Sequence, residues 1–302
     1  MKRISFFALL VAFGAAAALL RSAEPRGIVI CHYNLENYVG EDQTALGERR
    51  ARPKSEKEIA ALIRIIKEIN PDILGVCEMG SRERFVDFAA RLKGAGLGYI
   101  DSEYVDGPDR DRHLALFSRF PIVGRQSLVD VPFSIGGIPE KVRRGFLDVT
   151  IQVNGTYQLR MIGAHLKSKL LAAEDEAIIR RHEAHELRKH LDEVLRASPD
   201  VNLVCYGDFN DLKNTPGFRE ISGERGSPGY MADLWASDAE GDRWTHFWRS
   251  ADLYSRIDFI LVNNGALREV VREKSTVYRS SYWNEASDHR PVYATFMPVE
   301  RR

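Results

Sequence analysis

The sequence predicts a single α/β domain, on three observations. Short apolar runs that read as buried strands recur along the chain, and several deliver a polar residue at or near their end. Between them lie segments with the apolar spacing of amphipathic helices. No internal repeat, low-complexity tract or Pro/Gly/Ser-rich linker divides the 302 residues, and a composition of 44% hydrophobic and 28% charged residues suits a soluble enzyme.

The first residues stand apart. Lys2 and Arg3 precede an apolar, alanine-rich run from Ile4 to Leu20, and Arg21-Ser22-Ala23 leads into polar chain. This layout predicts a secretory signal peptide over residues 1–23, a folded domain over 24–302, and a secreted or periplasmic protein with no stable membrane insertion after cleavage. An uncleaved anchor is the alternative, although the run is short for a spanning helix. Basic and acidic residues balance at 43 each, and removing residues 1–23 leaves an excess of three acids. No global basic footprint for nucleic acid exists, so an anionic substrate must be gripped locally. Cys31, Cys77 and Cys205 each sit in an apolar run and read as small buried residues. Their odd number excludes complete pairing within one chain, and a disulfide between two of them after export is the alternative.

The run Ile28 to Tyr33 is a strand that leads into Asn34-Leu35-Glu36-Asn37, with Asn34 and Glu36 two apart on one side. Gly40 to Lys54 is a polar surface loop. Ser55 to Asn70 is a helix announced by the capping-box spacing of Ser55 and Glu58 and stopped by Pro71. Asp72 to Met79 is a buried strand carrying Glu78, which is costly to bury without a partner or cation. A second helix covers Ser81 to Lys93. Strands Tyr99 to Val105 and His113 to Ser118 flank the charged loop D-G-P-D-R-D-R, a solvated turn or a cover for a site. Arg119 to Ile122 turns the chain into a sheet edge or hairpin. Lys141 to Val153 reads as one strand entered through Arg143 and Arg144, and Asn154-Gly155 signals a hairpin into Tyr157 to Leu166. His165 ends that strand, with Lys167 and Lys169 close behind.

Glu174 to Arg196 is a long helix whose H-E-A-H stretch is not H-E-x-x-H and reads as a solvated face. Val201 to Asp211 is the strongest strand signal, ending in Gly207 and then Asp208, Asn210 and Asp211; Asp208 and Asn210 share a side in extended chain. Asn214 to Gly229 is mainly loop. Leu234, Trp235, Trp244, Phe247 and Trp248 form an aromatic zone, a wall of the site or a core patch, of which core is the expected reading. Asp258 is embedded in the strand Ser255 to Val262, and His289, just before the strand Val292 to Phe296, is its expected partner.

Asn34, Glu36, Glu78, His165, Asp208, Asn210, Asp258, Asp288 and His289 thus sit at or inside six apolar runs. The set is rich in oxygen donors and has no cysteine in place, so Mg2+ fits better than zinc, with Mn2+ or Ca2+ as alternatives. Hard cations beside histidines and lysines suit phosphoryl chemistry.

The segments N-L-E-N at 34–37, P-D-I-L-G-V-C-E at 71–78, S-R-F-P-I at 118–122, H-L-K-S-K at 165–169, G-D-F-N-D at 207–211, R-I-D-F-I-L at 256–261 and S-D-H-R-P-V at 287–292 resemble, in order, those of the endonuclease/exonuclease/phosphatase superfamily. Cys77 departs from the glutamine usual before the motif glutamate. The resemblance implies a four-layer αββα sandwich with two mixed β-sheets packed face to face. It implies Glu36, Glu78 and Asp288 as metal ligands. Asn34, Asn210 and His165 would hold the phosphate, and Asp208 would orient or deprotonate the attacking water. His289, paired with Asp258, would be a general base or polarise the phosphate. Arg144 would face substrate, and Lys167 would grip its backbone. The expected activity is a Mg2+-dependent nuclease on DNA or RNA, acting as a monomer. A phosphoesterase on a sphingomyelin-type lipid or small phosphoester is the alternative.

Overall fold

A computed structural model describes residues 26–40, 52–168 and 174–300. The expected leader, most of the Gly40 to Lys54 loop and Lys169 lie outside the described residues.

The chain opens with β1 (Ile28–Tyr38), α1 (Glu56–Ile69), β2 (Ile73–Met79), α2 (Arg82–Gly94), β3 (Asp101–Val105) and β4 (His113–Ser118). It crosses over through β5 (Ile122–Arg125), the hairpin β6 (Pro132–Ile135) and β7 (Ile138–Lys141), β8 (Leu147–Gln152), β9 (Gln158–His165), α3 (Glu174–Ala197) and β10 (Leu203–Asp208). Next come α4 (Pro216–Ser222), β11 (Ala232–Asp233), the hairpin β12 (His246–Trp248) and β13 (Leu253–Ser255), and β14 (Asp258–Val262). The chain returns through α5 (Asn264–Leu267), β15 (Val270–Val277), α6 (Trp283–Ala286) and β16 (Val292–Phe296). One six-stranded sheet has the order β15-β16-β1-β2-β4-β3 and the other β11-β14-β10-β9-β8-β5. Both are mixed: β1 runs parallel to β2, and β9 to β10, among antiparallel neighbours.

Three apolar cores make the layering. Ile30, Ile73 and Leu116 of the first sheet meet Val149, Met161, Val204 and Ile260 of the second. Leu62 and Ile66 of α1 and Phe88 of α2 cover the outer face of the first sheet through Leu74 and Phe117. Leu187 and Leu191 of α3 and Phe218 of α4 cover the second through Ile162, Cys205 and Phe259. The four-layer sandwich is therefore present: two sheets face to face, helices outside. The capping box of α1 is also in place. Ser55 Oγ accepts the Glu58 N–H and Glu58 accepts the Ser55 N–H, while Asn70 closes the helix in the left-handed region. All three cysteines are free and buried.

Two readings change. Lys141 to Val153 is not one strand: Lys141 ends β7, and β8 begins only at Leu147. Val142 and Phe146, between them, pack into the α3 core, which gives the segment its strand-like apolar spacing. The aromatic zone is only partly core: Leu234 packs between the sheets, whereas Trp235 and Trp248 are exposed.

β9 and β10 must approach closely where they end. A Cβ on Gly207 would lie 1.9 Å from the Ala164 carbonyl oxygen, and Gly207 has φ +154. Because Gly207 pairs with Ala164 and Asp208 with His165, glycine here sets the spacing of both polar residues. Gly207→Ala is expected to destabilise the fold by about 2–5 kcal/mol through overpacking and strain, measurable by denaturant unfolding.

Candidate active site

The parallel pairs β1–β2 and β9–β10 end on the same edge of the sandwich, and polar side chains from both sheets meet there. Asn34 Nδ2, from the first sheet, donates to Glu78 Oε1 at 3.2 Å and crosses to Asp208 Oδ2, in the second, at 3.0 Å. His165 Nε2 lies 3.7 Å from Asp208 Oδ2 and 3.9 Å from Glu78 Oε1. His289 donates through Nδ1 to Asp258 Oδ2 at 2.8 Å and turns Nε2 to within 3.8 Å of Asp208 Oδ2. Glu36 Oε2 accepts the Asp288 N–H at 3.1 Å and Lys54 Nζ at 3.3 Å. Asn210 Nδ2 donates to the Leu166 carbonyl at 3.0 Å, tying the segment after β10 to that after β9. Nine of the expected residues thus share one seam.

Asn34/Glu36 and Asp208/Asn210 do not reach it as extended pairs. Asn34 Oδ1 accepts the Glu36 N–H at 2.9 Å and Asp208 Oδ1 the Asn210 N–H at 2.8 Å, both Asx turns. Glu36, Asn37, Glu78 and Asn210 all have positive φ, between 49 and 59°. Non-glycine residues adopt this conformation at a cost, and its concentration on one seam marks a site where geometry is imposed by the surroundings.

The electrostatics separate the groups. Burial, reinforced by the Asp258 charge, raises the Asp208 carboxyl to about 6. Burial opposes the His289 imidazolium, but the Asp258 carboxylate outweighs it and holds the pKa well above the ordinary histidine value. Asp258 is held low against its own burial by His289 and by His32, whose Nε2 donates to Asp258 Oδ1 at 3.1 Å. His165 is pushed well down by burial and then by the Arg144 charge, so it stays neutral. The seam therefore holds an imidazolium, a neutral imidazole and a carboxylate of raised basicity.

Arg144 and Lys167 lie one step back. Arg144 is buried with Nε 2.9 Å from Asp109 Oδ2, and Lys167 Nζ pairs with Glu176 Oε1 at 3.1 Å. Four neighbours escaped the sequence reading. His32 is hidden in an apolar run. Lys54 closes the polar loop, its buried ammonium also donating to the Ala286 carbonyl at 2.8 Å. Arg112, in the charged loop, places Nε 3.7 Å from Glu78 Oε2 and 2.8 Å from Asn37 Oδ1. His246 stands in the aromatic zone. The H-E-A-H stretch is not wholly a solvated face: His185 is exposed and pairs with Glu220, but Glu183 is buried and accepts the Arg143 and Lys167 N–H groups, and half-buried His182 stacks on Phe133.

The profile of the Endonuclease/Exonuclease/phosphatase family matches residues 31–289. The chain belongs to this family. Its members are phosphoric ester hydrolases, generally dependent on a divalent metal. Among solved structures, the family fold is shared with the human Nocturnin catalytic domain with bound sulfate (TM-score 0.61, 18% identity, 89% of this chain and 94% of that one). Sphingomyelinase C from Streptomyces griseocarneus is similar (TM-score 0.62, 17% identity, 90% and 99%), as is truncated Caenorhabditis elegans TDP2 (TM-score 0.58, 17% identity, 90% and 97%). A comparison with curated proteins gave no match.

Among the described residues, the carboxylate and imidazole donors that already lie within 4.8 Å of one another are His246, Asp288 and His289, and Asp208, Asp258 and His289; the expected trio of Glu36, Glu78 and Asp288 is not among these groups. Glu36, Glu78 and Asp288 offer only oxygen, the donor type of hard cations. Burial and then the neighbouring Asp288 charge push the Glu36 carboxyl up even with Lys54 beside it, so one ammonium leaves this acidic corner under-neutralised.

Proposed function

We propose that the protein is an exported Mg2+-dependent phosphodiesterase that hydrolyses nucleic acid by in-line attack of water. The reading is carried by Asn34 bridging Glu78 and Asp208 across the two sheets, with His165 and His289 on either side. Glu36, Glu78 and Asp288 would hold the metal, which when bound stabilises charge on the phosphoryl oxygens and leaving group. Asp208 takes the proton from water, because its raised pKa makes it a better base than an ordinary aspartate. His289 enters as imidazolium and so donates from Nε2 to a non-bridging oxygen rather than acting as the base. Asp258 and His32 keep it charged and oriented. Neutral His165 supplies an N–H to the phosphate with no counter-charge of its own, while Asn34, both of whose N–H groups go to Glu78 and Asp208, holds those two carboxylates in place.

Arg112 at the Glu78 edge and the exposed rings of Trp248 and Tyr254 beside β12 and β13 favour an anionic strand whose bases stack. Incubating the protein with plasmid DNA and an RNA oligomer tests this. Mg2+-dependent cleavage that chelator abolishes and His289→Ala loses is the expected result; intact substrates in every lane would refute it. The exposed Leu253 on the same hairpin gives a second reading, a lipid headgroup substrate, which phosphocholine release from sphingomyelin would reveal.

The pH profile follows from the same groups. Asp208 must be ionised to accept a proton, so kcat/KM should rise with pH through about 6 in the free enzyme. It should fall again on the alkaline side as His289 loses its proton. Asp208→Asn should remove the acid limb from the residual rate.

A further inference from the structure

His246 belongs to none of the roles above, yet the backbone aims it at two residues that do. The segment carrying it pairs with the chain before β16: Phe247 N donates to the Asp288 carbonyl at 2.9 Å, and Arg290 N to the Thr245 carbonyl at 2.6 Å. This pairing sets His246 opposite His289, with ring centroids 4.6 Å apart. His246 Nε2 lies 3.7 Å from Asp288 Oδ2, and His289 Nε2 lies 3.8 Å from Asp288 Oδ1. One donor atom from each of the three residues falls within 4.8 Å of the others. His289 has spent Nδ1 on Asp258, so the nitrogen it presents here is Nε2. The side chains of His246 and Asp288 are 20% and 30% exposed, which leaves an ion a way in.

Two imidazole nitrogens and one carboxylate oxygen are a different donor class from the all-oxygen corner of Glu36 and Glu78. They suit zinc, cobalt and related ions, which take three protein ligands and keep a fourth position open. Tetrahedral coordination at about 2.0–2.1 Å asks for donors roughly 3.4 Å apart, so small side-chain rotations would close the present spacing.

We propose that His246, Asp288 and His289 form a binding site for a zinc-class transition metal ion, and that its occupation shuts the enzyme down. The ion would displace the Nε2 proton of His289 to solvent and take the nitrogen that faces the phosphate, and it would draw Asp288 away from the hard-cation corner. Binding rests on the geometry of the three residues alone; inhibition rests in addition on the phosphodiesterase reading.

Co2+ serves as the probe because nitrogen ligation in a low-coordinate site gives it visible absorption bands. Titrating the full protein with Co2+ in excess Mg2+ should produce such bands, and Zn2+ should bleach them. His246→Gln should weaken Co2+ affinity by at least roughly 100-fold, beyond the loss typical of an outer-shell change. His246→Cys should bind Co2+ and add an intense near-ultraviolet thiolate charge-transfer band, which a merely structural histidine would not produce. The proposal is overturned if the wild-type protein shows no bands at millimolar Co2+. It is equally overturned if His246→Gln binds Co2+ with unchanged spectrum and affinity, or if His246→Cys shows no thiolate band. Zn2+ should also inhibit phosphodiester cleavage. If no phosphodiester is cleaved at all, the spectra still decide the site, and only the inhibitory role falls.

Discussion

Asp208→Asn is expected to lower kcat for phosphodiester hydrolysis by about two to four orders of magnitude with little change in melting temperature. The amide keeps an oxygen for the Asn210 N–H, so the Asx turn after β10 survives. It loses the capacity to take a proton, and it sets an N–H against the Asn34 amide where a carboxylate oxygen stood. The second effect costs about 1 kcal/mol, too little to unfold a domain with three apolar cores. A kcat within tenfold of wild type, measured at saturating substrate, would remove Asp208 from the chemistry.

Asp258→Ala should damage stability and activity together. His32 and His289 both donate to this buried carboxylate, and removal leaves the imidazolium without its hydrogen-bonded counter-ion. Breaking a buried pair in this way costs about 3–5 kcal/mol. The pH dependence has a defined sign. The folded His289 pKa is raised, so its contribution is complete below the unfolded value of about 6.5 and is lost as pH rises through the folded pKa. The folded Asp258 pKa is depressed, so its contribution is present above about 3.9 and is lost as pH falls through the folded pKa. Urea unfolding should therefore show the largest gap between wild type and Asp258→Ala in the near-neutral range, narrowing toward alkaline pH. A gap that is constant across this range would contradict the ion pair.

What the sequence discloses here follows the reach of each signal. The capping box of α1, the strand His113 to Ser118 and the strand Val292 to Phe296 depend on neighbours a few residues apart, and each is legible. The Asp258–His289 pair spans 31 residues, yet it is legible because an aspartate inside an apolar strand demands a cation. His32 answers the same demand from 226 residues away and looks, in sequence, like one more member of an apolar run. Lys54 and Arg112 are hidden for the opposite reason, since each sits among many other charges. Val142 and Phe146 carry strand-like spacing because they serve the α3 core, and only tertiary packing separates that from a ladder position. The exposure of Trp248 and Tyr254 likewise depends on what the β12–β13 hairpin fails to pack against.

The central claim is that side chains from both sheets form one phosphodiester-cleaving centre. Its most direct measurement is hydrolysis of bis-p-nitrophenyl phosphate, a substrate with no sequence or lipid recognition to satisfy, by wild type and Glu78→Gln side by side, in Mg2+ and in chelator. The account predicts turnover by wild type in Mg2+ only, and a loss of at least roughly 100-fold in the variant at unchanged secondary structure. Equal rates for the two proteins, or turnover indifferent to chelator, would contradict it.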